Sequence, residues 1–106
     1  MLDATFSALA DPTRRAIVAQ LATGEVSLGQ LAEPFDMSQT AVSKHVKVLA
    51  DAGLVVVEKR GRTRHCRLEP EPMREALDWL EYYRSFWESK FESLAEHLEN
   101  TAGGEA

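Results

Sequence analysis

The apolar positions that follow Ser38 repeat with a helical period. Val42, Val46 and Leu49 are four and three residues apart, so they share one face of a helix. Ser38 is a favourable N-cap and Gly53 a favourable terminator, which sets the predicted ends of this helix. Its other face carries polar and basic side chains, namely Gln39, Thr40, Ser43, Lys44 and Lys47.

The next segment, residues 54–68, has the pattern of a β-hairpin. Leu54 to Lys59 is rich in β-branched valine, Gly61 permits a turn, and Thr63 to Leu68 is predicted to be the return strand. Strand alternation puts one set of side chains, Arg62, Arg64 and Cys66, on the opposite face from Thr63, His65 and Arg67.

Three helices are predicted before Ser38, and the second of them follows Asp11. Asp11 followed by Pro12 is typical of a helix start, and this helix is predicted to end at Gly24. Arg14 and Arg15 near its start are interpreted as solvated or ion-paired residues, with contact to a DNA backbone or to distant acids as the alternative.

Ser27 and Gln30 match a capping box and predict a brief further helix, which Pro34 stops. The short turn that follows makes residues 27–52 a predicted helix-turn-helix, whose second helix enters the major groove of DNA. Its residue His45 lies between the buried and exposed faces, so we interpret it as a packing residue.

The two ends of the chain, residues 1–10 and 72–100, are predicted to be amphipathic helices that form a subunit interface. The last helix carries a heptad seam and a second apolar stripe beside it, more apolar surface than a monomer of this size can bury. The predicted interface residues are Leu2, Phe6, Leu9, Trp79, Tyr83, Phe86, Trp87, Phe91 and Leu94. As the alternative, Trp79, Phe86 and Trp87 line a small-molecule pocket.

Charge is distributed unevenly. The chain has a net charge of −5, yet Lys44 to Arg67 contains seven basic and two acidic residues. Such a positive patch on an acidic protein is expected of a surface that meets phosphates. A protein-interaction module with the same fold is the rival, but such a module more often presents apolar anchors. An enzyme is not expected, because no nucleophile lies beside a base and no phosphate loop is present.

Apolar runs such as Leu54 to Val57 are too short to span a membrane, and the first residues do not resemble a secretory signal. The single cysteine, Cys66, cannot form an intramolecular disulfide, so we expect a reducing cytoplasm. Cys66 is interpreted as a buried strand residue, with a redox sensor as the alternative.

Four motifs resemble the ArsR family of winged-helix repressors: Ala8 to Arg15, Val42 to Leu49, Ala52 to Val55, and Arg60 to Arg62. The resemblance covers residues 4–99. It implies a homodimeric bacterial or archaeal regulator that binds a palindromic operator, commonly its own promoter, and blocks transcription.

Many members of that family are metal sensors, but this chain departs from their patterns. The positions of the Cys-x-Cys ligands align with Ser27 and Gly29, and on the last helix His97 is the only histidine, with Asn100 where an acid is required. No metal or other cofactor is therefore expected, and His97 is interpreted as a solvated residue. An organic ligand, thiol modification of Cys66, and regulation by protein concentration all remain open.

The predicted fold is mainly α-helical with a small β-hairpin: four helices, the hairpin and a last helix, a winged helix-turn-helix over residues 1–102, with a frayed tail at 103–106. Double-stranded DNA is the predicted partner. Bases are read by Gln39, Thr40, Ser43 and Lys44 after the cap Ser38, and phosphates are held by Lys47, Arg60, Arg62 and Arg64.

Overall fold

The computed structural model describes residues 2–104, which contain six helices and three strands. Their bounds are α1 (Leu2–Ala8), α2 (Pro12–Leu21), β1 (Val26–Ser27), α3 (Leu28–Ala32), α4 (Gln39–Asp51), β2 (Val55–Arg60), β3 (Thr63–Leu68), α5 (Pro70–Tyr82) and α6 (Arg84–Gly104). The chain forms two compact units, the first ending at Ala76 and the second beginning at Leu77.

Side-chain caps start three of the helices at the predicted residues. The carboxylate of Asp11 accepts a hydrogen bond of 3.0 Å from the Arg14 amide, and Ser38 accepts one of 3.1 Å from the Ala41 amide. Ser27 forms the complete capping box with Gln30. These caps satisfy amides that have no partner inside their own helix.

The helix ends differ slightly from the prediction. α4 ends at Asp51, and Gly53 follows in the left-handed region with φ +80°. That conformation lets the amides of Gly53 and Leu54 bond back to Ala50 and Leu49, both at 2.9 Å. α2 ends at Leu21 rather than at Gly24, because the last turn is closed earlier, at Ala22.

The core of the first unit lies between α2, α3, α4 and the sheet. The predicted face of α4 is confirmed, since Val42, Val46 and Leu49 are all buried. They pack with a further set of buried residues that includes Ile17, Leu21, Leu31, Leu54 and Cys66. In α1 the buried residues are Thr5 and Ala8, whereas Leu2, Phe6 and Leu9 remain partly or largely exposed.

The sheet has a third strand in addition to the predicted hairpin. Its order is β1-β3-β2, with both pairings antiparallel. β1 is only two residues long and pairs Val26 with Cys66 and Ser27 with His65. The start of α3 is thereby attached to the base of the wing, by which we mean the hairpin of β2 and β3.

The predicted single helix over 72–100 is wrong, because Tyr83 divides it into α5 and α6. No glycine or proline marks this break. The Tyr83 amide donates to the Leu80 carbonyl three residues back, at 3.1 Å, which tightens the turn locally. α6 ends at Gly104, within the segment 103–106 that the sequence predicts as a frayed tail. Glu105 and Ala106 lie outside the described residues.

Candidate nucleic-acid interface

The polar face of α4 and the turn of the wing border one open groove. Its volume is about 960 Å³. α4 contributes one wall, the start of α3 closes one end, and the wing forms the other wall. The polar lining residues are Ser27, Gln39, Thr40, Ser43, Lys44, Lys47, Arg62, Thr63 and Arg64.

The predicted base-reading residues of α4 lie together along one wall of the groove. Gln39, Thr40, Ser43 and Lys44 all line the groove, within the first two turns of the helix. Ser38 precedes them and its hydroxyl oxygen holds the Ala41 amide, so Ser38 orients the first turn. Short polar side chains at a helix N-terminus suit the edges of bases in a major groove.

On the wing side, Arg62 and Arg64 line the same groove. The register explains why, since Arg64 lies on the sheet face of Cys66, which is buried against the body of the unit. Within residues 2–104, neither Arg62 nor Arg64 forms a salt bridge, so both guanidinium groups are available to an anion.

Lys59 is a further basic residue of the wing, and it is not among the DNA-binding residues predicted from the sequence. It pairs directly with Arg64 across β2 and β3, and directly opposed residues share a face. Like Arg62 and Arg64, it has no ion-pair partner among the described residues. The hairpin register, once known, would have identified it.

The structure does not bring Arg60 to the groove. Strand alternation turns it to the opposite sheet face, where it forms salt bridges with Glu25 at 2.7 Å and with Glu58 at 3.3 Å. The hydrogen bond to Glu58, followed by the charge of Glu25, raises the pKa of Arg60. Lys47 does line the groove, but its ammonium group also bonds to Asp51 at 3.0 Å.

Arg14 and Arg15 hold the end of α1. The Nε of Arg14 donates to the Ala8 carbonyl at 2.6 Å, and Arg15 donates to the Leu9 carbonyl at 2.9 Å. The last carbonyls of a helix have no partner inside that helix, so these arginines complete α1. Arg15 remains exposed, as a solvated residue is expected to be, whereas Arg14 is half-buried among these contacts.

His45 packs where α2 begins, as its position on α4 predicts. Its Nδ1 lies 3.4 Å from Arg14 and 3.8 Å from the Asp11 carboxylate. These contacts occupy His45 in joining α4 to α2, and it is not among the residues that line the groove.

Comparisons with known proteins agree with this architecture. The family described as "Helix-turn-helix domain" matches residues 9–58. The HTH-type transcriptional regulator Rv2034 of Mycobacterium tuberculosis is 47% identical over 68 residues, which are 64% of this chain and 64% of that regulator. The transcriptional repressor SdpR of Bacillus subtilis is 29% identical over 75 residues, 71% of this chain and 83% of the repressor.

Among solved structures, the ArsR family transcriptional regulator RHA00566 superposes with a TM-score of 0.74 and 42% identity. The match covers 83% of this chain and 91% of that one. The chain belongs to the ArsR family of transcriptional regulators.

Within residues 2–104, no three His, Cys, Asp or Glu side chains are grouped so that they could hold a metal ion. Ser27 and Gly29 border the groove between α4 and the wing. Cys66 is buried, and burial raises the pKa of its thiol, which disfavours the reactive thiolate.

The second unit of this ArsR-family protein exposes most of its aromatic residues. Phe91 is 64% exposed and Trp87 52%, and they stack with ring centroids 6.3 Å apart. The rings of Trp79 and Tyr83 have centroids 5.0 Å apart and are tilted by 56°. The exposed predicted interface residues are Phe6, Trp79, Tyr83, Phe86, Trp87, Phe91 and Leu94. None of the described helices is long and apolar enough to cross a bilayer.

Proposed function

We propose that this protein is a homodimeric transcriptional repressor that binds a palindromic operator in double-stranded DNA, commonly its own promoter. The supporting observation is the groove, which brings hydrogen-bonding residues of α4 and unpaired arginines of the wing to one surface. The acidic charge of the whole chain does not oppose this, because the basic residues are concentrated around the groove. A repressor of this kind acts in the cytoplasm, where the DNA is.

The two walls of the groove have different roles. Gln39 can pair with adenine through two hydrogen bonds, and Lys44 can donate to guanine. Thr40 and Ser43 accept hydrogen bonds from the edges of neighbouring bases or donate hydrogen bonds to them. Lys47, Arg62 and Arg64 hold phosphates or enter a narrow minor groove, so they contribute affinity with little base preference.

Dimerisation follows from the exposed aromatic surface. Monomeric proteins rarely expose apolar patches of this extent, and aromatic residues are enriched at the centres of protein interfaces. Leu98, at 60% exposed, and Leu94, at 55%, continue the surface along α6. When two protomers pair symmetrically, their α4 helices enter successive major grooves of the DNA, about 34 to 36 Å apart.

The experiment is fluorescence anisotropy of the purified protein on the DNA upstream of its own gene, with a shuffled duplex of equal composition as the control, at near-physiological salt. We expect the upstream DNA to bind about a thousandfold more tightly, with two protomers per duplex and a steep salt dependence. Equal binding would show that the operator lies elsewhere and refute autoregulation. Failure to bind either duplex, even at low salt, would refute DNA binding and favour a protein partner for the wing.

A further inference from the structure

We propose that Glu25 and Arg60 form a clasp that holds the wing in position for DNA, so that Arg60 is a positioning residue and does not contact a phosphate. This inference rests on the proposed DNA-binding function. It assigns a role to the one predicted phosphate-binding residue of the wing that lies away from the groove.

The clasp has the geometry of a two-point ion pair. One terminal nitrogen of Arg60 lies 2.7 Å from one oxygen of Glu25, and the other lies 3.4 Å from the second oxygen. Glu25 immediately precedes β1 and is 35 residues from Arg60 along the chain. The pair thus connects the outer end of β2 to the body of the first unit, and two parallel contacts restrict its orientation more than one does.

The pair belongs to a larger network on that sheet face. Arg60 also contacts Glu58 at 3.3 Å, and Glu58 contacts Arg67 at 3.5 Å. His65 places its Nδ1 3.6 Å from Glu25. The hydrogen bond from Arg60, followed by the arginine's charge, lowers the pKa of Glu58. Isolated surface ion pairs contribute little, but networks with a two-point arginine pair are the exception.

The outer half of the wing needs such a support. β1 pairs with β3 only at His65 and Cys66, so the hairpin beyond these residues has two strands and no third. An isolated two-stranded hairpin is marginally stable in water. This outer part carries Lys59, Arg62 and Arg64, whose distance from α4 sets the width of the groove. Arg60, at the end of β2, is placed to restrain it.

The two possible roles of Arg60 predict opposite effects of Glu25→Gln. If Arg60 held a phosphate, removing an acid would free Arg60 and reduce repulsion from DNA, so binding would tighten. If the clasp positions the wing, the same substitution weakens binding. We expect it to weaken binding by about three- to fivefold, the upper range for an exposed ion pair.

The test uses the duplex that the wild-type protein selects from a random-sequence pool. Affinity and its salt dependence are measured for Glu25→Gln, Arg60→Gln and the double variant, with Glu33→Gln as a control at an exposed acid without an ion pair in residues 2–104. Hydrogen exchange of the free proteins reports on residues 59–64. Urea midpoints confirm that each variant is folded.

If the clasp positions the wing, both single variants bind the duplex more weakly, and the double variant binds no more weakly than either. The dependence of affinity on salt is unchanged, and hydrogen exchange in residues 59–64 becomes faster. Tighter binding by Glu25→Gln, or a salt slope about one unit smaller in Arg60→Gln, would overturn it and make Arg60 a phosphate contact. Unchanged exchange would also overturn it. A wild-type protein that selects no duplex would refute the proposed function, and the inference with it, before any variant is compared.

Discussion

Lys59 and Arg64 lie directly opposite each other on β2 and β3. Neither has an acidic partner within the described residues, and Arg64 borders the DNA groove. Two like charges in this arrangement destabilise an antiparallel pair by a few tenths to about 1 kcal/mol. Such a loss of stability is expected at a site where a bound anion relieves the repulsion between the two cations.

Replacing one of these cations should stabilise the protein and weaken its function. We expect Lys59→Thr to raise the free energy of unfolding by about 0.2 to 1 kcal/mol, because the repulsion is removed and threonine suits a strand. The same variant should lose DNA affinity and about one unit of salt slope. Urea unfolding and anisotropy measure the two effects. Arg67→Thr, on the other sheet face, is the control and should not be stabilised, since it loses the contact with Glu58. A destabilised Lys59→Thr would refute the repulsion argument.

Gln39 is expected to read one base in each half-site. Gln39→Ala should relax the preference at that position by about 1 to 3 kcal/mol while other positions stay discriminated. The measurement is competition among duplexes that each carry one base change. Lys47→Ala, a substitution in the same groove, should instead weaken all duplexes alike. If Gln39→Ala behaves like Lys47→Ala, the assignment of Gln39 to base reading is wrong.

The charge of Asp11 should make stability depend on acid pH. The hydrogen bond from the Arg14 amide, with smaller contributions from the charges of His45 and Arg14, lowers the pKa of Asp11 below its ordinary value of 3.8. A carboxylate with a lowered folded-state pKa contributes stability that is complete above its ordinary value and is lost as pH falls through the folded value.

Asp11→Asn keeps a capping side chain and removes the charge. We expect the variant to be less stable than the wild type near neutral pH and the difference to shrink as pH falls below 3.8. Urea unfolding of both proteins across this range tests it, with neutral pH as the internal control. A difference that persists or grows in acid would contradict the argument.

Trp87 is expected to lie in the subunit interface. Trp87→Ser should weaken self-association by about tenfold or more, because aromatic residues dominate interface energies. Sedimentation equilibrium measures the change. Glu92→Gln, on the same helix and away from the apolar seam, is the matched control and should associate like the wild type. A wild-type protein that is monomeric at micromolar concentration would refute the interface itself.

Features that depend on a few neighbouring residues were predictable from the sequence. The caps at Asp11, Ser27 and Ser38 join residues only three positions apart, so the sequence contains both partners. The buried face of α4 follows from one helical period. The polar residues of α4 that line the groove follow too, since they lie outside the buried face.

Features that depend on distant partners were not predictable. Arg14 bonds to a carbonyl oxygen of α1, and backbone carbonyls have no sequence signal. β1 is too short to show alternation, and it exists because β3 offers it an edge. Arg60 and Arg62 have the same charge and belong to the same sequence motif. Only the hairpin register shows that they lie on different sides of the wing. The turn at Tyr83 contains one backbone hydrogen bond, from the Tyr83 amide to the Leu80 carbonyl, and the sequence on both sides of it has a helical pattern.

The connection from α4 to the wing is short and firmly held. Ala52, Gly53 and Leu54 are the only residues between α4 and β2. Leu54 is completely buried, its amide bonds to Leu49, and its carbonyl accepts from Glu69 at 2.8 Å. This joint therefore fixes the base of the wing relative to α4, and the proposed clasp of Glu25 and Arg60 restrains only the outer end of the wing. We expect that exchanging Gln39 or Lys44 changes the sequence that the protein reads while the base of the wing keeps its place, so that the same frame can serve many operators.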